Sequence, residues 1–180
     1  MSLILAEGPP SRAPEANTNI VTDAEVLALI SELKPLPPDW RKKLVPKTKP
    51  GHKEAELEVI GTNGTRFWLI TRQSLLNPLD FSVIVSFQPA ESYGRFNLRR
   101  YNGKSHTHSN VIERQPPFYD FHIHTATERY QKAGWREVEA YAEPTDRYAA
   151  ISGALDCAVT DCAFQEQGGQ RQMLMDHFPR

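Results

Sequence analysis

The segment ELEVIGTNGTRFWLIT, residues 56–71, predicts a β-hairpin. Its arms, residues 56–60 and 66–71, are rich in β-branched, aromatic and other apolar residues and flank the turn segment TNGT, residues 62–65. Asn-Gly between two such arms is a strong hairpin signal because the tight turn requires positive φ angles that these residues accept. The hairpin opens a run of predicted strands, and the fold class follows from that run.

Four further strands are predicted after the hairpin. Residues 81–88 place apolar side chains at alternate positions, which is typical of a half-buried strand. Strands are also predicted over residues 95–101, 119–125 and 135–142. Strands that are grouped between helices, rather than alternating with them, favour a largely antiparallel sheet, here of about six strands.

One helix is predicted on each side of the strand run. Thr22 and Glu25 have capping-box spacing, so the first helix should begin there and end before the prolines at positions 35, 37 and 38. A second helix should open at residues 144–146, present apolar residues between Tyr148 and Cys162 to the core, and close at the glycine pair 168–169. We therefore predict an α+β fold with an N-terminal helix, a largely antiparallel sheet and a C-terminal helix packed on the sheet.

The same patterns divide the chain into segments. Residues 1–20 hold three prolines among small and polar residues, which predicts a flexible N-terminal tail. Residues 21–180 should form a single α+β domain. Within that domain, residues 36–53 are predicted to be an irregular Pro/Lys-rich connection, with Trp40 docking it on the body.

Composition and charge narrow the class of protein. With 39% hydrophobic and 24% charged residues, the chain is typical of a globular protein rather than a disordered one. No stretch approaches the roughly 20 apolar residues of a membrane helix, and no basic signal segment is present, so we expect a cytoplasmic protein without a membrane partner. The net charge is −1, but residues 41–53 and 95–114 are basic while residues 137–166 are acidic. The basic segments permit a phosphate-bearing ligand.

Four of the six histidines lie between residues 103 and 125, in two His-x-His pairs. The pairs are His106/His108 and His122/His124, and Asp120 extends the second pair by one step. Because alternate residues of an extended strand point the same way, each pair should present two imidazoles to one side. Imidazole titrates near neutral pH and is the commonest metal ligand, so this segment is the candidate site.

The first interpretation is metal-independent cleavage of a phosphodiester bond in RNA or a nucleotide. Paired histidines can take a proton from a ribose 2′-hydroxyl and return one to the leaving oxygen, while a cation stabilises the phosphate. His122 and His124 would be base and acid, Asp120 would orient one ring, and no cofactor would be required. The further candidates are His106 and Arg99 as catalytic residues, and Arg100, Lys104, Arg129, Tyr101 and Tyr119 as substrate-binding residues.

The second interpretation is a divalent metal site for zinc, nickel or manganese. Two imidazoles two residues apart form a chelating pair, which a second pair or a carboxylate can complete. The candidate ligands are His106, His108, His122, His124 and Glu113. The first pair, followed at five residues by Glu113, resembles the first histidine motif of the cupins, a superfamily of metal-binding β-barrels, although Arg100 stands where that motif has a glycine. A third interpretation is a non-enzymatic binding domain with structural histidines.

A longer pattern resembles a group of small uncharacterised bacterial proteins. It runs from LRRYNG, residues 98–103, through His106 to FHIH, residues 121–124, and ends in an aromatic segment at Tyr130. A related arrangement occurs in the TumE-type toxins of bacterial toxin–antitoxin modules. The resemblance implies a small cytoplasmic toxin or defence enzyme that acts on RNA and has a cognate antitoxin. It carries over only His106, His122 and His124.

Overall fold

The computed structural model describes residues 20–90, 92, 94–134 and 139–166, so the predicted tail lies almost wholly outside the described residues. The helices within these ranges are α1 (Asp23–Ser31), α2 (Trp40–Lys43), α3 (Glu128–Lys132) and α4 (Ile151–Asp161). The strands are β1 (Lys34–Leu36), β2 (Lys47–Lys49), β3 (His52–Ile60), β4 (Arg66–Ser74), β5 (Phe81–Phe87), β6 (Phe96–Asn102), β7 (His122–Thr125), β8 (Tyr141–Pro144) and β9 (Phe164–Glu166).

Seven of the described strands form one antiparallel sheet in the order β2-β3-β4-β5-β6-β7-β8. The fold is therefore α+β with a largely antiparallel sheet, as predicted, but this sheet has one strand more than expected. The hairpin of β3 and β4 turns at Gly64, whose φ angle of 84° suits a glycine. The histidine strand, predicted from residue 119, begins only at His122 as β7. The strand predicted over residues 135–142 corresponds to β8, which starts at Tyr141, and residues 135–138 of that span lie outside the described ranges.

The Pro- and Lys-rich segment has regular structure, so the prediction of an irregular connection was wrong. It holds the end of β1, all of α2 and all of β2. β1 pairs in parallel with β9, far along the chain, whereas β2 pairs with the next strand, β3, across the turn at Pro50 and Gly51. Trp40 is buried as expected, and its indole N–H donates to Glu166 Oε1 at 3.0 Å.

The first helix begins where its capping box predicts, whereas the last helix begins later than expected. Thr22 Oγ1 accepts the Glu25 N–H, and the Glu25 carboxylate accepts the Thr22 N–H. α4 starts at Ile151 rather than at residues 144–146, because β8 extends to Pro144 and pairs it with β7. It ends at Asp161, well before the glycine pair, which lies outside the described ranges. Within those ranges, no helix is both long enough and apolar enough to cross a membrane.

The two faces of the main sheet differ in chemistry. On one face, Val83 and Tyr101 pack in the apolar core together with the small residues Ala154 and Ala158 of α4. On the other face, the strand register places Asn102 beside Ser82 on β5 and beside His122 on β7. Because neighbouring residues of a strand face opposite sides, the candidate site lies on the face away from α4. We call this side the polar face.

Candidate functional site

Three of the four clustered histidines converge on the polar face. His108, His122 and His124 each offer one ring nitrogen, and these three atoms lie within 4.8 Å of one another. The ring centre of His124 lies 4.8 Å from that of His122 and 4.8 Å from that of His108. We call these three residues the histidine triad.

Two separate segments supply the triad. His122 and His124 are alternate residues of β7, with side chains on the same face, and both are buried. His108 comes from the loop between β6 and β7, where its backbone N–H and carbonyl both bond to Phe118 and close a small hairpin over the polar face. The Phe118 ring packs beside His108 and His122, with ring centres 5.3 and 5.7 Å away.

His106 is a neighbour of the triad rather than part of it. It does not lie on a strand, so the first His-x-His pair is not the extended pair that was predicted. Its exposed ring makes an edge contact with His122 at 5.2 Å between ring centres, and its Nδ1 lies 3.3 Å from Ser105 Oγ. The structure therefore brings four rings together but directs three of them to one point.

The two strand histidines are held in one tautomer by backbone carbonyls. His122 Nδ1 lies 2.7 Å from the Asp120 carbonyl oxygen, and His124 Nδ1 lies 2.7 Å from that of Glu139. A carbonyl oxygen can only accept a hydrogen bond, so each Nδ1 carries the proton. Both Nε2 atoms therefore keep a lone pair that faces the centre of the triad.

Asn110 fixes His108 in the complementary tautomer. The Asn110 amide donates to the Ala142 carbonyl at 2.8 Å and to Gln115 Oε1 at 2.9 Å, which identifies Oδ1 as the acceptor. That oxygen accepts the Ala142 N–H at 2.9 Å and the His108 Nε2 proton at 3.1 Å. His108 Nδ1 therefore keeps the lone pair. Asn110 was missed by the sequence analysis, although its position two residues after His108 was an available signal.

Asn102 is the second residue that the sequence analysis missed. Its Nδ2 lies 3.1 Å from His124 Nε2 and 3.3 Å from His122 Nε2. Its Oδ1 accepts the Ser82 hydroxyl proton at 2.8 Å. Because both Nε2 atoms carry lone pairs, the amide donates to both of them. It sits directly across the strand pair from His122, which the β6–β7 register alone determines.

Burial keeps the two strand imidazoles neutral. It lowers the pKa of His122 to about 4 and the pKa of His124 to about 2, and neighbouring histidines and the Arg100 guanidinium act in the same direction. Neutral imidazole is the form that binds a metal ion, because the proton and the metal compete for the same lone pair.

The predicted arginines are engaged elsewhere. Arg99 lies on the other face of the sheet, with its guanidinium 3.7 Å from the Asp161 carboxylate of α4. Arg100 shares the polar face with His124, but it pairs with the carboxylate of Glu139, which also accepts the Asn97 amide at 2.8 Å. Neither guanidinium is directed into an open cleft as the phosphodiester interpretation expected.

Two predicted carboxylates also have other roles. The backbone carbonyl of Asp120 bonds to His122, while the carboxylate, which was predicted to orient the ring, pairs with Lys104 at 2.9 Å. Glu113 pairs with Arg129 at 2.6 Å and accepts the Tyr130 hydroxyl proton at 2.7 Å, so it is bound away from the triad.

The two tyrosines that were predicted to stack on a base differ in exposure. Tyr101 is fully buried, and its hydroxyl bonds to Asp161 at 3.1 Å, so it has no surface on which a base can stack. Tyr119 is 50% exposed and bonds to the Lys104 carbonyl at 3.3 Å, at the rim of the site.

No protein-family model matches the chain, and no curated protein or solved structure matches it either. The resemblance to TumE-type toxins therefore stays a prediction.

Proposed function

We propose that this protein binds a divalent transition-metal ion through His108 Nδ1, His122 Nε2 and His124 Nε2. One observation carries the proposal: one ring nitrogen from each of the three histidines lies within 4.8 Å of the others. In each ring one nitrogen is held by an oxygen acceptor, which leaves the lone pair on the other nitrogen. Metal-binding histidines have this arrangement, in which the second ring nitrogen donates to a carbonyl or carboxylate oxygen and fixes the tautomer. Imidazole ligands favour zinc or nickel over manganese, which prefers oxygen ligands.

Binding requires a small closure of the triad. A zinc–nitrogen distance of about 2.0–2.1 Å places tetrahedral ligand atoms roughly 3.4 Å apart. His108 is the least buried of the three and comes from a loop, so it is the ring we expect to move. Three protein nitrogens leave at least one coordination position for another ligand. An ion held in this way polarises a bound water and lowers its pKa, so hydrolysis is the reaction class that suits the site.

A concavity with space for a ligand is linked to the triad through two side chains. It has a volume of about 420 Å³ and is lined by Arg72, Asp80 and Ser82, among others. Ser82 donates to Asn102, and Asn102 contacts His122 and His124. Charged groups of both signs at its rim favour a polar substrate.

Elemental analysis tests the proposal. Protein purified without chelators, and protein reloaded with zinc, nickel or manganese, should contain one metal ion per chain. His122→Gln and His124→Gln should lose the ion, because each removes one converging lone pair. His52→Gln is the matched control, since His52 lies on β3 of the same sheet and bonds to the Pro50 carbonyl. Metal below stoichiometry in the reloaded wild-type protein would overturn the proposal.

Metal-independent cleavage of RNA is the second candidate. It is supported by the His106–His122 ring contact at the exposed side of the site and by Lys104 at its rim. The burial of His124 and the pairing of Arg99 and Arg100 weaken it. Incubation of total RNA with the protein in EDTA separates the two candidates. Cleavage in EDTA that His106→Ala abolishes would favour acid–base catalysis over the metal.

A further inference from the structure

We propose that the side-chain amide of Asn102 is a fourth metal ligand, through Oδ1, and that it turns over by half a rotation when the ion binds. This inference rests on the three-histidine site proposed above. It assigns a ligand that the histidine pattern does not contain, and it makes Asn102 a residue that influences which metal is bound.

Asn102 donates to the lone pairs that the ion needs. Its Nδ2 lies 3.3 Å from His122 Nε2 and 3.1 Å from His124 Nε2. An ion bound to both Nε2 atoms faces the hydrogens of this amide group, which carry partial positive charge. The present orientation of the amide therefore opposes metal binding, and the amide must either move away or turn over.

The surrounding contacts prevent the amide from moving away. Asn102 is 5% exposed and lies opposite His122 in the β6–β7 register. The Tyr148 hydroxyl contacts the backbone carbonyl oxygens of both residues, at 3.1 Å for Asn102 and 2.9 Å for His122. The two backbones are thus tied together at the level of the site, which keeps the amide beside the two Nε2 atoms.

Turning over conserves the remaining hydrogen bond. The oxygen and nitrogen of an amide have nearly the same size, so a half rotation about Cβ–Cγ exchanges them with little movement of heavy atoms. The Ser82 hydroxyl now donates to Oδ1 at 2.8 Å. After the rotation the same hydroxyl accepts from Nδ2, since a hydroxyl both donates and accepts. The buried amide is therefore satisfied in both orientations, which avoids the cost of an unpaired polar group.

The rotated amide changes the chemistry of the site. It adds a neutral carbonyl oxygen to three imidazole nitrogens, so the bound water that hydrolysis needs would be a fifth ligand. Oxygen ligands also improve the binding of harder ions such as manganese. Without Asn102, we expect the preference for zinc or nickel over manganese to increase.

Cobalt(II) titration at mildly alkaline pH, followed by visible absorption, tests the inference. Asn102→Asp supplies a charged oxygen at the same position and should tighten cobalt binding, and Asn102→Leu should weaken it, each by roughly tenfold or more, the scale of changes around metal ligands. The cobalt spectrum of Asn102→Leu should differ from that of the wild type because one ligand is lost. Gln88→Leu is the control and should leave the spectrum unchanged, since Gln88 follows β5 at the end where Phe87 pairs with Phe96, and its amide bonds to the Ser92 carbonyl.

The direction of the effect separates a ligand from a spacer. If Asn102 only bridges the histidines in the metal-free protein, its removal frees both lone pairs, and Asn102→Leu binds cobalt as tightly as the wild type or more tightly. That result overturns this inference and leaves the three-histidine site standing. Should Asn102→Leu fail to fold, the near-isosteric Asn102→Asp decides alone: unchanged or weaker binding contradicts the inference. Absence of cobalt binding by the wild type overturns both proposals.

Discussion

Two buried polar centres lie on opposite sides of the sheet, and they differ in how fully their hydrogen bonds are satisfied. Lys34 is fully buried, and its ammonium donates to four backbone carbonyls, those of Leu29, Ile30, Glu32 and Cys162, at 2.7–3.1 Å. It also lies over the Phe67 ring, 4.2 Å from the ring centre. Every proton of this ammonium has an acceptor.

The histidine triad differs, because it has more lone pairs than hydrogen-bond donors. Two of its three lone pairs, those of His122 Nε2 and His124 Nε2, share one amide donor, Asn102, and among the described residues His108 Nδ1 receives no hydrogen bond. A buried group whose hydrogen bonds are all made has no remaining capacity for a ligand, whereas a lone pair without its own donor can still accept a hydrogen bond or bind a cation. The bonds of Lys34 are therefore those of a group that stabilises the fold, whereas the triad keeps the capacity to accept a further hydrogen bond or a cation.

Replacing Lys34 should give the largest loss of stability. Lys34→Met leaves four buried carbonyls without their donor, so the free energy of unfolding should fall by about 3 kcal/mol. Urea denaturation followed by circular dichroism measures the change. Lys53→Met is the matched control, because Lys53 is exposed and its loss should cost no more than about 0.5 kcal/mol. Equal effects of the two substitutions would show that the carbonyl cage of Lys34 does not support the fold.

Metal should stabilise the protein through the triad alone. Zinc at about 100 times its dissociation constant should raise the free energy of unfolding by about 2.7 kcal/mol, because the ion binds only the folded state. His122→Gln should abolish this increment, whereas Lys34→Met should retain it on a lower baseline. The test is a pair of urea titrations for each protein, with and without zinc. An increment that survives in His122→Gln would place the ion elsewhere.

The two centres also differ in how far the sequence predicts them. Period-two spacing was enough to place His122 and His124 on one face of β7. The position of His108 beside β7 depends on its bridge to Phe118, ten residues away. The neutral state of the His122 and His124 rings depends on their burial under the loop that holds this bridge. Neither follows from spacing. Arg99 and Arg100 are adjacent in sequence, and only the register with β7 shows which of them shares a face with His124.

Lys34 could not have been predicted as a core residue at all. Lysine is almost always exposed, and its acceptors here include the carbonyl of Cys162, 128 residues away in sequence. The same reason explains the failure at β1, whose partner is the distant strand β9. The partner of β2 is local, since Lys49 pairs with His52, but the surrounding prolines led to the prediction of an irregular segment. Local signals succeeded in the capping box of α1 and in the β3–β4 hairpin.

Acid should destabilise the metal-free protein through the triad. The folded-state pKa values of His122, about 4, and His124, about 2, lie below the ordinary 6.5. The unfolded chain therefore binds more protons as pH falls below 6.5, so the stability that is present above this pH is lost toward pH 4. At pH 5 we expect a loss of about 2 kcal/mol or more. Urea denaturation across this range measures it. The double variant His122→Gln/His124→Gln should flatten the slope, and an unchanged slope would show that other groups titrate.

Replacing Asn110 should have the smallest of these effects on metal affinity. Its Oδ1 accepts from both His108 Nε2 and the Ala142 N–H, so one atom fixes a triad tautomer and covers the outer edge of β8. Asn110→Asp keeps an acceptor oxygen but loses the donations to the Ala142 carbonyl and to Gln115, so it should destabilise the fold and leave metal affinity within a few-fold of wild type. Asn110→Leu removes the acceptor, frees the His108 ring to change tautomer, and should weaken zinc binding by about tenfold, the lower end for groups that orient metal ligands. Competition with a chromophoric chelator measures both affinities. If the two variants lose affinity equally, His108 is positioned by its backbone bridge to Phe118 and not by the amide, and the orienting role of Asn110 is refuted while the triad itself is retained.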